Sequence, residues 1–206
     1  MKILKRVLLT VGIIIGLLLV VSLFLPSTYE VKREGTVKAP TDSVFMWVAD
    51  LKNWNTWSPW HQADPGMKVT YSSATLGPGS SMQWTSESQG NGKLTFKSLV
   101  PPSQAMYELD MGEGMVSTGK FLLTPDGNNT KVTWSMNGDV GMNPMYKFFL
   151  LFIDGMVGPD FEKGITNLQK RASGTASVSK TIMHVANRPV IGRTYVKTDG
   201  MACLVD

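Results

Sequence analysis

Residues 104–140 read QAMYELDMGEGMVSTGKFLLTPDGNNTKVTWSMNGDV, and the alternation inside this stretch decides the fold. Tyr107, Leu109 and Met111, then Phe121 and Leu123, then Val132, Trp134 and Met136 recur at every second position, which places them on one face of extended strands. Glu108, Asp110, Lys120, Lys131 and Thr133 take the opposite parity, so the other face is wet. Gly112-Glu113-Gly114 and Pro125-Asp126-Gly127-Asn128 break the run with residues that tolerate turn geometry. Three antiparallel strands result, at 104–111, 116–124 and 130–140.

The same pattern extends upstream. Met82 and Trp84, then Leu94 and Phe96, continue the apolar face, while Gln83, Thr85, Lys93 and Lys97 continue the polar one. Strands at 67–74, 80–87 and 93–99 follow, separated by Gly77-Pro78-Gly79, Gln89-Gly90-Asn91-Gly92 and Pro101-Pro102. A seventh strand at 29–38, with Tyr29, Val31 and Val37 as its apolar positions, stops before Pro40. Thr41-Asp42-Ser43 offer capping side chains to a short helix through Asp50, whose apolar face is Val44, Phe45, Trp47, Val48 and Leu51. WNTWSPWH at 54–61 suits a compact turn or short helix that plugs one end of the core.

A sheet with one apolar face needs a cover. Residues 145–170 supply it, because Phe149, Ile153, Val157, Phe161, Ile165 and Leu168 recur every three or four positions. Gly155, Gly158 and Pro159 interrupt this pattern and predict a kink, or two helices with Pro159 near the start of the second and Asp160 as its cap. Residues 171–206 lose the regularity. They read as a flexible tail, a truncated extension, or an extra strand around VIGRTYV.

Residues 7–25, VLLTVGIIIGLLLVVSLFL, hold nineteen positions without a charge, behind Lys2, Lys5 and Arg6. A bilayer core about 30 Å thick takes roughly 20 apolar helical residues, so one transmembrane anchor is expected here. Each central Leu, Ile or Val favours insertion by about 0.3–0.6 kcal/mol. A cleaved signal sequence is the competing reading, but the run ends in Leu23-Phe24-Leu25-Pro26 with no small-x-small site. A buried core helix is the third. Basic residues ahead of the span place the N-terminus in the cytoplasm and the remaining chain outside it.

The net charge of +4 divides unevenly. Residues 26–170 carry 12 basic against 14 acidic residues, which removes the electrostatic argument for nucleic acid. Cys203 is the only cysteine, so an intrachain disulfide and a CxxC site are both excluded. His61 and His184 lie 123 residues apart without a zinc-site partner. There is no Walker loop and no Gly-x-Ser-x-Gly, and Gly112-Glu113-Gly114 lacks the rest of a dinucleotide motif. Asn128-Asn129-Thr130 matches a glycosylation sequon, which a hairpin turn explains equally well.

Specific residues carry a family resemblance over about 30–170. Val37-Lys38-Ala39-Pro40, Val44-Phe45, Val48-Ala49-Asp50, Trp54, Trp57 and Ser58-Pro59-Trp60 resemble the opening of the polyketide cyclase/dehydrase and lipid-transport (SRPBCC) group of the START-like superfamily. GKFLLTP at 119–125, Thr130-Lys131-Val132-Thr133-Trp134 and Asp160-Phe161-Glu162-Lys163-Gly164 extend it. The resemblance implies an α+β helix-grip fold: a curved antiparallel sheet of about seven strands wrapped on a long C-terminal helix. With the anchor it divides the chain into 1–26, a domain at 27–170 and a tail at 171–206. It also implies a cavity between sheet and helix that takes a hydrophobic small molecule or lipid.

Residues expected to line that cavity are Trp57, Trp60, Trp84, Phe96, Leu109, Phe121, Trp134, Met136, Met156 and Phe161, each of which would serve equally as core filling. His61, after the tryptophan-rich turn, is the candidate polar handle, with a surface histidine as the plain alternative. No carboxylate pair or activated nucleophile stands out, and neither a cofactor nor a metal is implied. Membrane-tethered, non-catalytic binding is therefore the leading expectation. A cyclase or dehydratase acting through His61 or a buried carboxylate, and a scaffold with a filled core, are the alternatives.

Overall fold

The structure, a computed structural model, describes residues 2–112, 115–186, 195–198 and 201–204. After helix α1 (Lys2–Phe24) come β1 (Thr28–Val37), α2 (Thr41–Ala49) and two short helices, α3 (Trp54–Trp57) and α4 (Pro59–Ala63). Six strands follow: β2 (Lys68–Tyr71), β3 (Ser81–Thr85), β4 (Gly92–Val100), β5 (Gln104–Asp110), β6 (Val116–Asp126) and β7 (Asn129–Asp139). Helix α5 (Pro144–Ala186) then crosses the sheet, and β8 (Tyr195–Thr198) and β9 (Met201–Leu204) form a separate pair. The seven-stranded antiparallel sheet runs β1-β7-β6-β5-β4-β3-β2, so β2 to β7 form a meander and β1 returns beside the last strand. This is the expected α+β helix-grip architecture. The edge strand β2 is shorter than its alternation suggests, which limits the unpaired backbone it exposes.

The predicted alternation is realised in the core. Ala105, Tyr107, Phe121, Leu123, Val132 and Trp134 are buried on one sheet face, and Trp54 and Trp57 drop onto them from α3. Each indole finds a partner, as burial requires: Trp54 Nε1 donates to the Val48 carbonyl at 2.9 Å, Trp57 Nε1 to that of Trp47 at 3.0 Å, and Trp134 Nε1 to the Tyr107 hydroxyl at 2.8 Å. Tyr107 reaches Trp134 because it lies across Gly119, where any Cβ would collide with the tyrosine ring.

Two local expectations are corrected. The capping by Thr41, Asp42 or Ser43 is not made; Pro40 holds the N-cap position of α2 without a side-chain bond. Thr41 turns inward instead, 3.2 Å from the Thr130 hydroxyl, which donates to the Ala39 carbonyl at 2.8 Å. Secondly, α5 is one helix, with Pro159 inside it and no new start at Asp160. Pro159 and Gly155, four residues before it, both lie at exposed positions, so the carbonyl that loses its partner can reach water.

Arg33 on β1 ties α5 to the sheet. Its Nη1 and Nη2 donate to the two Asp154 oxygens at 2.8 and 2.9 Å, and its Nε donates to Glu162 Oε1 at 2.8 Å. Asp154, Gly158 and Glu162 stack at i, i+4 and i+8 on one face. Only a residue without Cβ fits at Gly158, because an added carbon would strike the Arg33 guanidinium.

The helix also continues beyond 170, where irregular chain was expected. Ala172 is fully buried and the Ser173 hydroxyl donates to the Lys38 carbonyl at 3.3 Å, so the small residues there let the helix pack on. β8 and β9 do not join the seven-stranded sheet. Residues 187–194, 199–200 and 205–206 lie outside the described residues, and the expectation of a flexible tail falls partly on them.

Candidate functional site

A cavity of about 590 Å³ separates the β3–β6 half of the sheet from α5, within the size range of small-molecule sites. α5 packs chiefly along β1, and the cavity lies beside it over the rest of the sheet. The sheet contributes Met82, Trp84, Leu94, Tyr107 and Leu109, and the helix contributes Tyr146, Phe149, Leu150, Ile153, Val157 and Phe161. Helical positions between Tyr146 and Phe161 border the cavity over about 22 Å of axis.

Of the residues expected at the wall, Trp60, Trp84, Leu109, Met136, Phe161 and His61 lie on it. Trp57, Phe96, Phe121 and Trp134 do not. All four are fully buried behind the wall, in an aromatic cluster where Trp134 stacks on Phe161 at 4.1 Å with 4° between planes and on Phe121 at 4.6 Å. Met156 points away from the cavity and is 56% exposed. Residues not foreseen at the wall include Trp54, Ser58, Tyr29, Met67, Met115 and Asn143. Their parity or loop position carried no signal of a cavity; only the packing of α5 against β1 reveals it.

The wall is mostly apolar, with two polar regions. At the α4 end, Ser58 and His61 sit one helical turn apart, and the Ser58 hydroxyl and both imidazole nitrogens are buried without a hydrogen-bond partner among the described residues. Burial pushes the His61 pKa below its ordinary 6.5, so the ring is neutral at pH 7. At the other end, Tyr29 and Ser117 share a 2.6 Å hydroxyl contact. Asp139 there is held below its ordinary range by the Gly141 N–H first, and then by Ser27 and the charge of Lys147. Among the described residues no group of His, Cys, Asp and Glu could hold a metal.

This second end is also where α1 meets the domain. Three residues join Phe24 to Thr28, and the Val140 N–H donates to the Ser27 carbonyl at 2.9 Å. Thr28 and Tyr29 pair with Asp139 and Gly138, and Gly138 pairs with Ser117, so the wall residues Val116, Met115 and Met111 occupy the same edge of the sheet. Ser22 in the last turn of α1 is buried, and its carbonyl accepts from the Lys147 ammonium at 3.2 Å. Along Ile3–Phe24, α1 is long and apolar enough to cross a membrane, and it is almost wholly exposed.

A curved sheet gripping one long helix around a hollow defines a helix-grip protein. The chain belongs to the polyketide cyclase/dehydrase and lipid-transport family, whose model matches residues 28–173. That membership associates it with hydrophobic ligands. Solved structures agree in fold. A protein of unknown function from Staphylococcus aureus is 11% identical, with 73% of this chain and 96% of that one aligned at a TM-score of 0.58. A protein from Mesorhizobium loti is 13% identical over 69% and 95% of the two chains, at 0.53. One from Rhizobium leguminosarum is 15% identical over 71% and 95%, at 0.51. No curated protein matches the chain by sequence.

Proposed function

We propose that the protein binds a hydrophobic small molecule or lipid in this cavity without transforming it, while α1 tethers the domain to a membrane. The observation that carries the reading is the 590 Å³ cavity itself, walled by Trp84, Leu109, Phe149, Ile153 and Val157 in a family associated with apolar ligands. Burying apolar ligand surface there contributes about 25 cal/mol per Å². Tethering raises the effective concentration of any ligand drawn from the bilayer. Charge ahead of α1 favours a cytoplasmic N-terminus and an extracytoplasmic domain.

Ser58 and His61 give the ligand a polar end. Two buried groups without partners cost free energy in the empty cavity, and a ligand hydroxyl, carbonyl or carboxyl placed between them recovers it. The bound molecule is then an amphiphile with its polar group at α4. An acid–base reaction would need His61 held by a second group, and among the described residues neither imidazole nitrogen has a hydrogen-bond partner, which favours binding over catalysis.

A bromine-bearing fatty acid titrated into the full chain in lipid nanodiscs tests this. Trp60 and Trp84 on the wall should be quenched saturably, and Trp84→Phe should remove part of the response. Absence of saturable quenching overturns the reading.

A further inference from the structure

We infer that the first four turns of α5 lie on the bilayer surface, with the apolar stripe Met145, Phe149, Phe152 and Met156 seated among the lipid headgroups and upper acyl chains. The inference rests on the reading of α1 as a membrane span. These four residues are spaced i, i+4, i+7 and i+11, which puts them within a narrow angular sector of one helix face. Their exposures are 79%, 43%, 66% and 56%, and nothing in the domain covers them. A stripe of this size on water is costly for a protein that works in solution.

Its position names the occupant. At about 100° per residue the stripe adjoins the face that lines the cavity, and Phe149 belongs to both. Met142, 71% exposed, extends it toward the edge of the sheet where α1 ends. There the domain is not free to swing away: Ser22 is buried, Lys147 on α5 holds its carbonyl, and Ser27 is bonded to Val140. A helix fixed to the end of a membrane span sits at the depth of the interface, where an amphipathic face buries about 5–10 Å into the headgroup boundary. On the sheet side, Val116 presents a further 46% exposed apolar side chain from the cavity wall at the same edge. The cavity mouth is thus rimmed on both sides by apolar groups at the membrane surface, and a lipid-derived amphiphile enters it without crossing water.

The test uses the full chain in phosphatidylcholine nanodiscs, with Cys203→Ser as background. Single cysteines at Met145, Phe152, Ile14 and Lys163 carry an environment-sensitive fluorophore, and phosphatidylcholines spin-labelled at shallow or deep positions act as quenchers. Exposed positions are used throughout so that the fold is not disturbed, and a thermal melt of each variant checks this. The expected result is a blue-shifted emission with loss to the shallow quencher at positions 145 and 152, loss to the deep quencher at 14, and neither at 163. Quenching at 14 with none at 145 or 152 overturns the inference and leaves the anchor standing. No quenching at 14 overturns the anchor reading and this inference with it. Disulfide-linked dimers of Met145→Cys or Phe152→Cys, without quenching, assign the stripe to a second copy and also overturn it.

Discussion

Lys147 donates to the main-chain carbonyl of Ser22 across 3.2 Å, joining residues 125 apart in sequence, and so ties the end of the apolar helix to the start of the helix that walls the cavity. The ammonium meets the carbonyl end of α1, where the helix dipole favours a cation. Both residues are buried, at 5% and 3% exposure.

Replacing Lys147→Met should therefore loosen the junction without unfolding the domain. A hydrogen bond to a charged group contributes about 1.5–3 kcal/mol, so amide exchange over 22–27 should accelerate roughly ten- to hundredfold. Exchange in β6 and β7 should stay as in the wild type. Equal protection at 22–27 in both proteins would show that this bond does not hold the two helices together.

Gly158 and Arg33 should behave as a coupled pair. Alanine at an exposed helix interior is favoured over glycine by about 0.8–1 kcal/mol. At Gly158, however, the new methyl displaces the guanidinium from Asp154 and Glu162, so Gly158→Ala should fail to stabilise the protein. In an Arg33→Ala background the same substitution should stabilise it. A double-mutant cycle by urea unfolding measures the difference, and additive effects would contradict the contact.

Phe161 is fully buried and stacked on Trp134 while its edge borders the cavity. Phe161→Ala should cost about 3–5 kcal/mol in denaturant unfolding. Leu109→Ala, on the cavity wall and only partly buried, should cost clearly less, because it enlarges an existing space. Similar losses at the two positions would argue that the cavity collapses in solution.

His61 sets a pH dependence of known sign. Desolvation lowers its pKa in the folded state, so below 6.5 the unfolded chain takes up a proton that the folded one refuses. Stability contributed by the neutral ring is present above 6.5 and declines as pH falls below it. His61→Phe should flatten stability against pH in that window, measured by urea unfolding at a series of pH values. An unchanged slope would place the imidazole in water.

Glu34 gives a second handle of the same sign, at lower pH. Lys131 first and Lys32 second hold its carboxyl down to about 2, with Nζ distances of 2.8 and 3.0 Å. A lowered carboxylate contributes above its unfolded value of 4.5 and loses that contribution as pH falls toward about 2. A carboxyl carbon titration by NMR should find Glu34 well below 4.5, and Lys131→Met should raise it.

The strands were legible because alternation reports which face is buried, and it did so correctly from Tyr107 to Met136. The same parity could not separate wall from core. Trp84 and Trp134 both point to the apolar face, yet one borders the cavity and the other is sealed beneath Phe161. What divides them is the lateral position of α5, which packs chiefly along β1 and there meets Arg33 through Asp154 and Glu162, more than a hundred residues away in sequence. Met156 lies off the stripe from Phe149 to Leu168 that does face the sheet, so the helical period itself argued against a place for it at the wall. His61 was read as a polar handle from its place after the tryptophan-rich turn, whereas Ser58, in the same motif, is marked only by its burial without a partner among the described residues. Of the two readings at Pro159, a kink or two helices, the second failed because the exposed setting that lets one helix continue through the proline is a tertiary property.

The most direct measurement of the central claim is native mass spectrometry of the full chain released from its host membranes in nanodiscs, beside a Leu109→Trp variant that fills the cavity from its sheet wall. The account predicts a discrete amphiphile retained by the wild type and lost from the variant, with both proteins folded. A wild type that carries no such molecule, or a variant that retains it at equal abundance, would contradict the account.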